Sequence, residues 1–159
     1  AITGYPGKEP TYPFILWILL GLVATSALAD RFNILLPKNY QKVNLNAQSV
    51  VNCKSTGTCV TGGLATGVHT FAYLHGIPDE SCIQYEGTDS KQTCKNIDVC
   101  QDCVKPAPLF NETGRERCFP VTNYKRYYAK EYGIITGAKA MKNEIYNRGP
   151  IVCGMVVTD

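Results

Sequence analysis

Hydrophobic residues are grouped unevenly along the chain, and the grouping predicts most of its elements. Residues 1–13 are rich in Gly and Pro and show no period. Phe14 to Ala29, FILWILLGLVATSALA, is an uncharged run of 16 residues, short for a membrane span, which needs about 20. It has the look of a signal-peptide core, with Ala27-Leu28-Ala29 before Asp30 resembling a cleavage site. Ala24 to Leu36 also reads as a helix, with Ala24, Leu28, Phe32 and Leu35 on one face and Asp30, Arg31 and Asn33 elsewhere. Asn46 to Cys53 reads as a short helix capped by Asn44 or Asn46. Leu64 to His75 is a better one: Val68, Phe71, Ala72 and Leu74 are apolar, Gly76 follows as the C′ residue, and Pro78 stops it.

Residues 79–118 lack a period and hold five of the eight Cys. Val121 to Ile135 is rich in Tyr and suits strands or extended structure. Gly137 to Arg148 predicts a helix with Met141 and Ile145 inward and Gly149-Pro150 as its stop. Ile151 to Val157 reads as a strand, and it runs into the end of the sequence, which suggests a piece of a longer fold. No internal repeat is present.

Composition narrows the class. The 159 residues are 45% hydrophobic and 18% charged, a globular balance in one domain of a size that buries a real core. A net charge of +3, evenly spread, gives no nucleic-acid footprint. Eight Cys is high for a cytosolic protein of this length. Cys100-x-x-Cys103 has no second pair at zinc spacing, since Cys82, Cys94 and Cys118 do not supply one. It lies in a polar, irregular stretch rather than at a helix start, unlike a thioredoxin-type redox motif. With only two His, a His-rich metal site is not expected, and structural disulfides in an oxidising compartment are. Asn111-Glu112-Thr113 is a glycosylation sequon that fits such a compartment.

Four stretches then converge on one family. TSALADRFNI (25–34), SVVNC (49–53), HGIPDESC (75–82) and YGIITGAKAMKNEIYNRGPIVCG (132–154) resemble, in order and spacing, the papain-type cysteine peptidases of the cathepsin Z branch. The resemblance covers roughly residues 24–159. It implies an α+β fold: a helical left domain and the start of a β-rich right domain. The organisation expected is an aberrant segment at 1–23, the left domain with its Cys-rich loops at 24–118, and the start of the right domain at 119–159. The reaction implied is removal of residues from peptide C-termini by a thiolate nucleophile. That nucleophile is the second Cys of a CGSCWA motif at a helix N-terminus, where helix position and a neighbouring His lower the thiol pKa. An upstream Gln donates to the oxyanion.

Aligning TSALADR puts that motif over Leu16, Trp17, Ile18, Leu19, Leu20 and Gly21. The nucleophile position holds Leu19 and the oxyanion Gln position holds Pro10, so no catalytic residue is expected in the chain as written. The family's His and its orienting Asn lie farther downstream than residue 159. His69 and His75 do not match the catalytic position and are expected to have packing or surface roles.

The genetic code suggests why. Read one base later, the codons for residues 16–21 permit Cys-Gly-Ser-Cys-Trp-Ala, with the Gly forced because Trp17 is TGG and Ile18 starts with A. The codons for residues 9–13 permit Asn-Gln-His-Ile-Pro, the mini-loop of the branch. Residues from about 8 to 22 therefore read as a frame-shifted translation, and the signal-peptide look of the run as an accident of shifted codons.

The resemblance also pairs Cys53 with Cys94, Cys82 with Cys100, and Cys103 with Cys118. It leaves Cys59 and Cys153 over, since their partners would stand at Leu16 and beyond residue 159. Gly62-Gly63 resembles the glycine pair beside the substrate cleft, where absent side chains let a peptide backbone approach. Cys59-Val60-Thr61-Gly62 is one residue longer than the usual spacing before that pair. No cofactor or metal is implied. The partner implied is a peptide or protein substrate, or an interaction partner if the chain is a pseudo-enzyme, with no nucleic acid and no membrane expected. The compartment is lysosomal or extracellular. Two rivals remain: a catalytically dead homologue kept as a binding or structural protein, and a small secreted or membrane-anchored Cys-rich protein.

Overall fold

The computed structural model describes residues 12–55, 57–58, 62–88, 93–104 and 117–153, with side chains of the first helix from Gly21 onward. Helix α1 (Tyr12–Leu35) takes in both the apolar run and the amphipathic stretch after it. It starts well before Ala24, because nothing in the uncharged run breaks a helix. Ala24, Leu28 and Ala29 face inward and are buried in the core. Buried Thr25 satisfies its hydroxyl on the helix itself, Oγ1 donating to Gly21 O at 2.8 Å. Leu35, expected on that face, is 82% exposed. The helix ends there, and the next residue, Leu36, turns against the core beside Phe32 instead.

Helix α2 (Ala47–Asn52) is wholly buried, and Asn46, not Asn44, caps it: Ser49 N donates to Asn46 Oδ1 at 2.8 Å. Its buried polar side chains hold the surrounding loops in place of a sheet. Asn46 Nδ2 donates to Ile83 O at 2.8 Å. Gln48 accepts Glu86 N at 2.9 Å on Oε1 and donates from Nε2 to Thr88 O at 2.7 Å. Asn52 Nδ2 donates to Asp98 O at 2.9 Å. The bonds to Ile83 and Asp98 answer carbonyls of buried residues, where an unpaired group would cost about 1–3 kcal/mol. Those of Gln48 tie the mostly exposed 86–88 loop to α2.

After the short hairpin β1 (Gly57–Thr58) and β2 (Gly62–Gly63) comes α3 (Ala65–Leu74). Its Val68 and Ala72 are buried, Phe71 is half-buried, and Leu74 is 59% exposed rather than inward. Gly76 ends it at φ +71, and a Cβ there would lie 2.9 Å from Arg126 Cβ. Only glycine serves both the backbone angle and the close approach.

Strand β3 (Ile77–Pro78) pairs antiparallel with β6 (Arg126–Tyr127), Ile77 opposite Tyr127. Pro78 fits an edge of so short a sheet, where its missing N–H leaves no ladder bond unmade. A 3₁₀ turn (Glu80–Cys82), α4 (Asn96–Val99) and the hairpin β4 (Gln101–Val104) with β5 (Arg117–Pro120) fill the Cys-rich segment. Disulfides join Cys53 to Cys94, Cys82 to Cys100 and Cys103 to Cys118. The core lies between α1, α2, α3 and β3, with Ala24, Leu28, Val50, Val68, Ala72 and Ile77 at its centre.

The C-terminal part is more open. Within Val121–Ile135 only Arg126–Tyr127 forms a strand, and the rest has no regular structure. Helix α5 (Ala138–Arg148) buries no residue. Ile145, expected inward, is 48% exposed, and Met141 is half-buried. The side of α5 that meets the body is polar: Glu144 reaches Arg31 of α1 at 3.0 Å. Ile151–Cys153 is not a strand, and residues 154–157 of that expected element lie outside the described residues.

Candidate active site

The sequence points to the first turns of α1 and to the β1–β2 hairpin beside it. Residues 16–21 all lie on α1, whose first residue is Tyr12. Residue 19 is therefore well past the first turn, and its N–H belongs to the helix's own hydrogen-bond ladder. The dipole of the helix, which acts within its first turn, falls off before reaching it. Pro10 lies outside the described residues, as do Cys59 and Asn111.

Gly62 and Gly63 form β2 and pair with Thr58 and Gly57 respectively. Val51 of α2 approaches the start of the described part of α1 closely, its Cγ2 lying 3.4 Å from where a Cβ on Gly21 would stand. This packing of α2 under α1 is what fixes residue 21 relative to the body.

Neither histidine joins this region to an acid or a thiol. His69 Nδ1 lies 2.9 Å from Ala65 O of the same helix, so its ring is satisfied one turn back along α3. His75 is exposed, with its ring 5.2 Å from that of Phe71. A cavity of about 330 Å³ lies on the other flank of α1, between Thr25, Ser26 and Asp30 of the helix and the 44–48 segment, with Glu80 at its rim. It offers hydroxyls, amides and carboxylates but no thiol or imidazole. Among the described residues no cluster of three or more His, Cys, Asp and Glu is placed to hold a metal ion. No described helix is long and apolar enough to cross a membrane.

The other cysteines are in structural places. Cys82 and Cys100 are buried where the 3₁₀ turn meets the end of α4. Cys53 closes α2, and Cys103 and Cys118 face each other across the β4–β5 hairpin. Cys153 is exposed. Two groups escaped the sequence reading. The buried amides of α2 did, although an Asn and a Gln two apart in an otherwise small and apolar stretch were a signal for them. So did Arg31, the first cation after the long uncharged run of α1.

Comparison with known proteins follows the same outline. The family model described as papain family cysteine protease matches residues 21–159. The cathepsin Z of Onchocerca volvulus is 38% identical over 135 residues, which is 85% of this chain and 40% of that protein. The chain thus spans 40% of the length of this curated relative. Among solved structures, the Amb a 11 cysteine protease, a major ragweed pollen allergen, in its proform, is 24% identical with a TM-score of 0.39, over 62% of this chain and 27% of that one. With residues 21–159 matched to its model and helices, hairpins and disulfides arranged in one α+β body, the chain belongs to the papain family of cysteine proteases and is cathepsin Z-like within it.

Proposed function

We propose that this chain descends from a cathepsin Z-like carboxypeptidase and is inactive as its sequence stands. The family reaction is attack of a Cys thiolate on the carbonyl next to a peptide's C-terminal residue, with cleavage of the peptide bond and expulsion of that residue as its protonated amine. Water then attacks the acyl-enzyme to release the shortened peptide and restore the thiolate. Leu19 stands at the nucleophile's position. Leu has no lone pair to attack with and no proton to give up at any pH. Nucleophile, base and base-orienter act as a unit, so losing the nucleophile alone removes nearly all of the rate gain rather than a share of it.

The observation that carries this reading is where the family match begins. It starts at residue 21, within the last codons of the segment whose shifted reading permits Asn-Gln-His-Ile-Pro and Cys-Gly-Ser-Cys-Trp-Ala. That supports a frame shift over residues 8–22 as the origin of Leu19. Gly62-Gly63 is proposed as the pair that faces a peptide backbone, with its register altered by the extra residue before Gly62. The three disulfides support a lysosomal or extracellular home, since such bonds persist in oxidising compartments.

Two measurements test the reading. The 159-residue chain should form no adduct at residue 19 with an epoxide thiol-protease probe. It should also cleave neither a peptide with a free C-terminal carboxylate nor its amidated twin. An adduct or a cleaved peptide would refute inactivity. Sequencing the transcript across codons 8–22 tests the origin. A CTC codon at Leu16 or Leu19 excludes a shifted Cys and leaves a homologue that has lost its nucleophile by substitution.

A further inference from the structure

Arg31 makes more use of its fork than any other side chain described. Its Nε donates to Pro150 O at 2.8 Å, its Nη1 to Glu144 Oε1 at 3.0 Å, and its Nη2 to Gly149 O at 3.4 Å. The acceptors are the last turn of α5 and the two residues that follow it. Planar, always charged and carrying five donors in a fixed fork, a guanidinium is the side chain that can answer three acceptors at once.

The receiving side is shaped for this contact. Gly149 sits at φ +100, and a Cβ there would lie 2.8 Å from Ile34 Cδ1 and 3.4 Å from Arg31 Cγ. A side chain there would force Ile34 and the stem of Arg31 aside, in addition to the strain of a backbone angle that favours glycine. The Arg31–Glu144 pair is also sheltered, with side-chain exposures of 29% and 21%. The neighbouring Arg148–Glu131 pair, at 59% and 73%, is open to water and screening. No residue of α5 is buried and Met141 is its one half-buried apolar side chain, so apolar packing is a small part of what holds the helix where it lies.

We propose that Arg31 is a latch that sets α5 and the Gly149–Pro150 corner on the end of α1. It is a positioning residue, not a catalytic one, since it lies twelve residues, about 18 Å, along the helix from residue 19. The latch stands on these contacts alone. Its consequence for a substrate cleft, that the chain after Pro150 starts from a place dictated by the nucleophile's own helix, rests on the peptidase reading above.

Hydrogen–deuterium exchange with mass spectrometry on the full oxidised chain tests it. In Arg31→Ala, peptides covering 138–152 should exchange about tenfold faster or more, the loss expected when charge-assisted bonds are removed. Peptides covering α2 and α3 should stay within about twofold of the parent. Arg31→Lys, which keeps the charge but loses the fork, should recover only part of the protection. Gly149→Ala should give the same local pattern with Arg31 intact. Unchanged exchange over 138–152 in Arg31→Ala overturns the proposal. Equal acceleration everywhere also overturns it, by making Arg31 a residue of general stability. Neither outcome bears on whether residue 19 reacts with a thiol-protease probe, so the two readings fail separately.

Discussion

Two helices of similar length, α3 and α5, show what separates the two regions of this molecule. Both carry apolar residues at helical spacing, and both end at a glycine of positive φ: Gly76 for one, Gly149 for the other. Helix α3 lies among α1, β3 and β6 and buries Val68 and Ala72 completely. Helix α5 buries nothing, and Tyr146 on it is 90% exposed. Amphipathic pattern makes a helix, but burial needs a partner surface, and the hydrophobic term appears only where one is present. The first region is therefore held by packing and buried amides. The second is held mainly by ion pairs of Arg31 and Arg148 and by the main-chain acceptors that Arg31 bonds.

Isoleucines at matched roles give the sharpest contrast. Ile77→Ala in β3, a fully buried site, should lower the unfolding free energy by about 2–5 kcal/mol in urea titration. Ile145→Ala in α5 should change it by about 0.5 kcal/mol or less. Similar losses from both would erase the distinction between the regions.

A smaller effect tests whether amides substitute for packing in the first region. Asn46→Ala removes the α2 cap and leaves the buried carbonyl of Ile83 without its donor. It should cost about 1–3 kcal/mol by the same titration. A near-zero effect would mean that water takes over the site.

The smallest comparison uses two glycines of similar φ. Gly76→Ala meets both an unfavourable φ and the side chains of Arg126 and Tyr128, and should cost about 1–3 kcal/mol. Gly137→Ala, at φ +87 with nothing within 4 Å, bears only the backbone term and should cost about 1 kcal/mol. Equal melting shifts would show that contact adds nothing to conformation at Gly76.

The same contrast explains what could be read in advance. The helices around Ala24–Phe32, Asn46–Asn52 and Leu64–Leu74 were legible because caps, stops and periodicity are local and agree with one another. The choice of Asn46 over Asn44 was not, since either can cap and only the distant carbonyls of Glu80 and Ile83 favour the later one. Strand β3 was invisible as two residues, because its pairing with Tyr127 is a long-range event. Ile145 failed for a different reason: its stripe was read correctly, but the inward face of α5 is chosen by Glu144 meeting Arg31. At the candidate site, TSALADR set where the family motif is expected, yet it could not reveal that α1 would begin before residue 16 and take residue 19 into its interior.

The register of β3 with β6 also sets a schedule. Ile77 is covered by a strand whose Tyr127 stands opposite it, fifty residues later in the chain, and Ala129 N closes on Ala72 O just beyond. A ribosome adds about 5–20 residues per second, so Ile77 leaves it about 2–10 s before its cover does. During that interval α3 and β3 present an open apolar seam to solvent. A chaperone that shields extended apolar segments has its natural point of entry there, and a stall in synthesis between residues 79 and 126 would prolong the exposure.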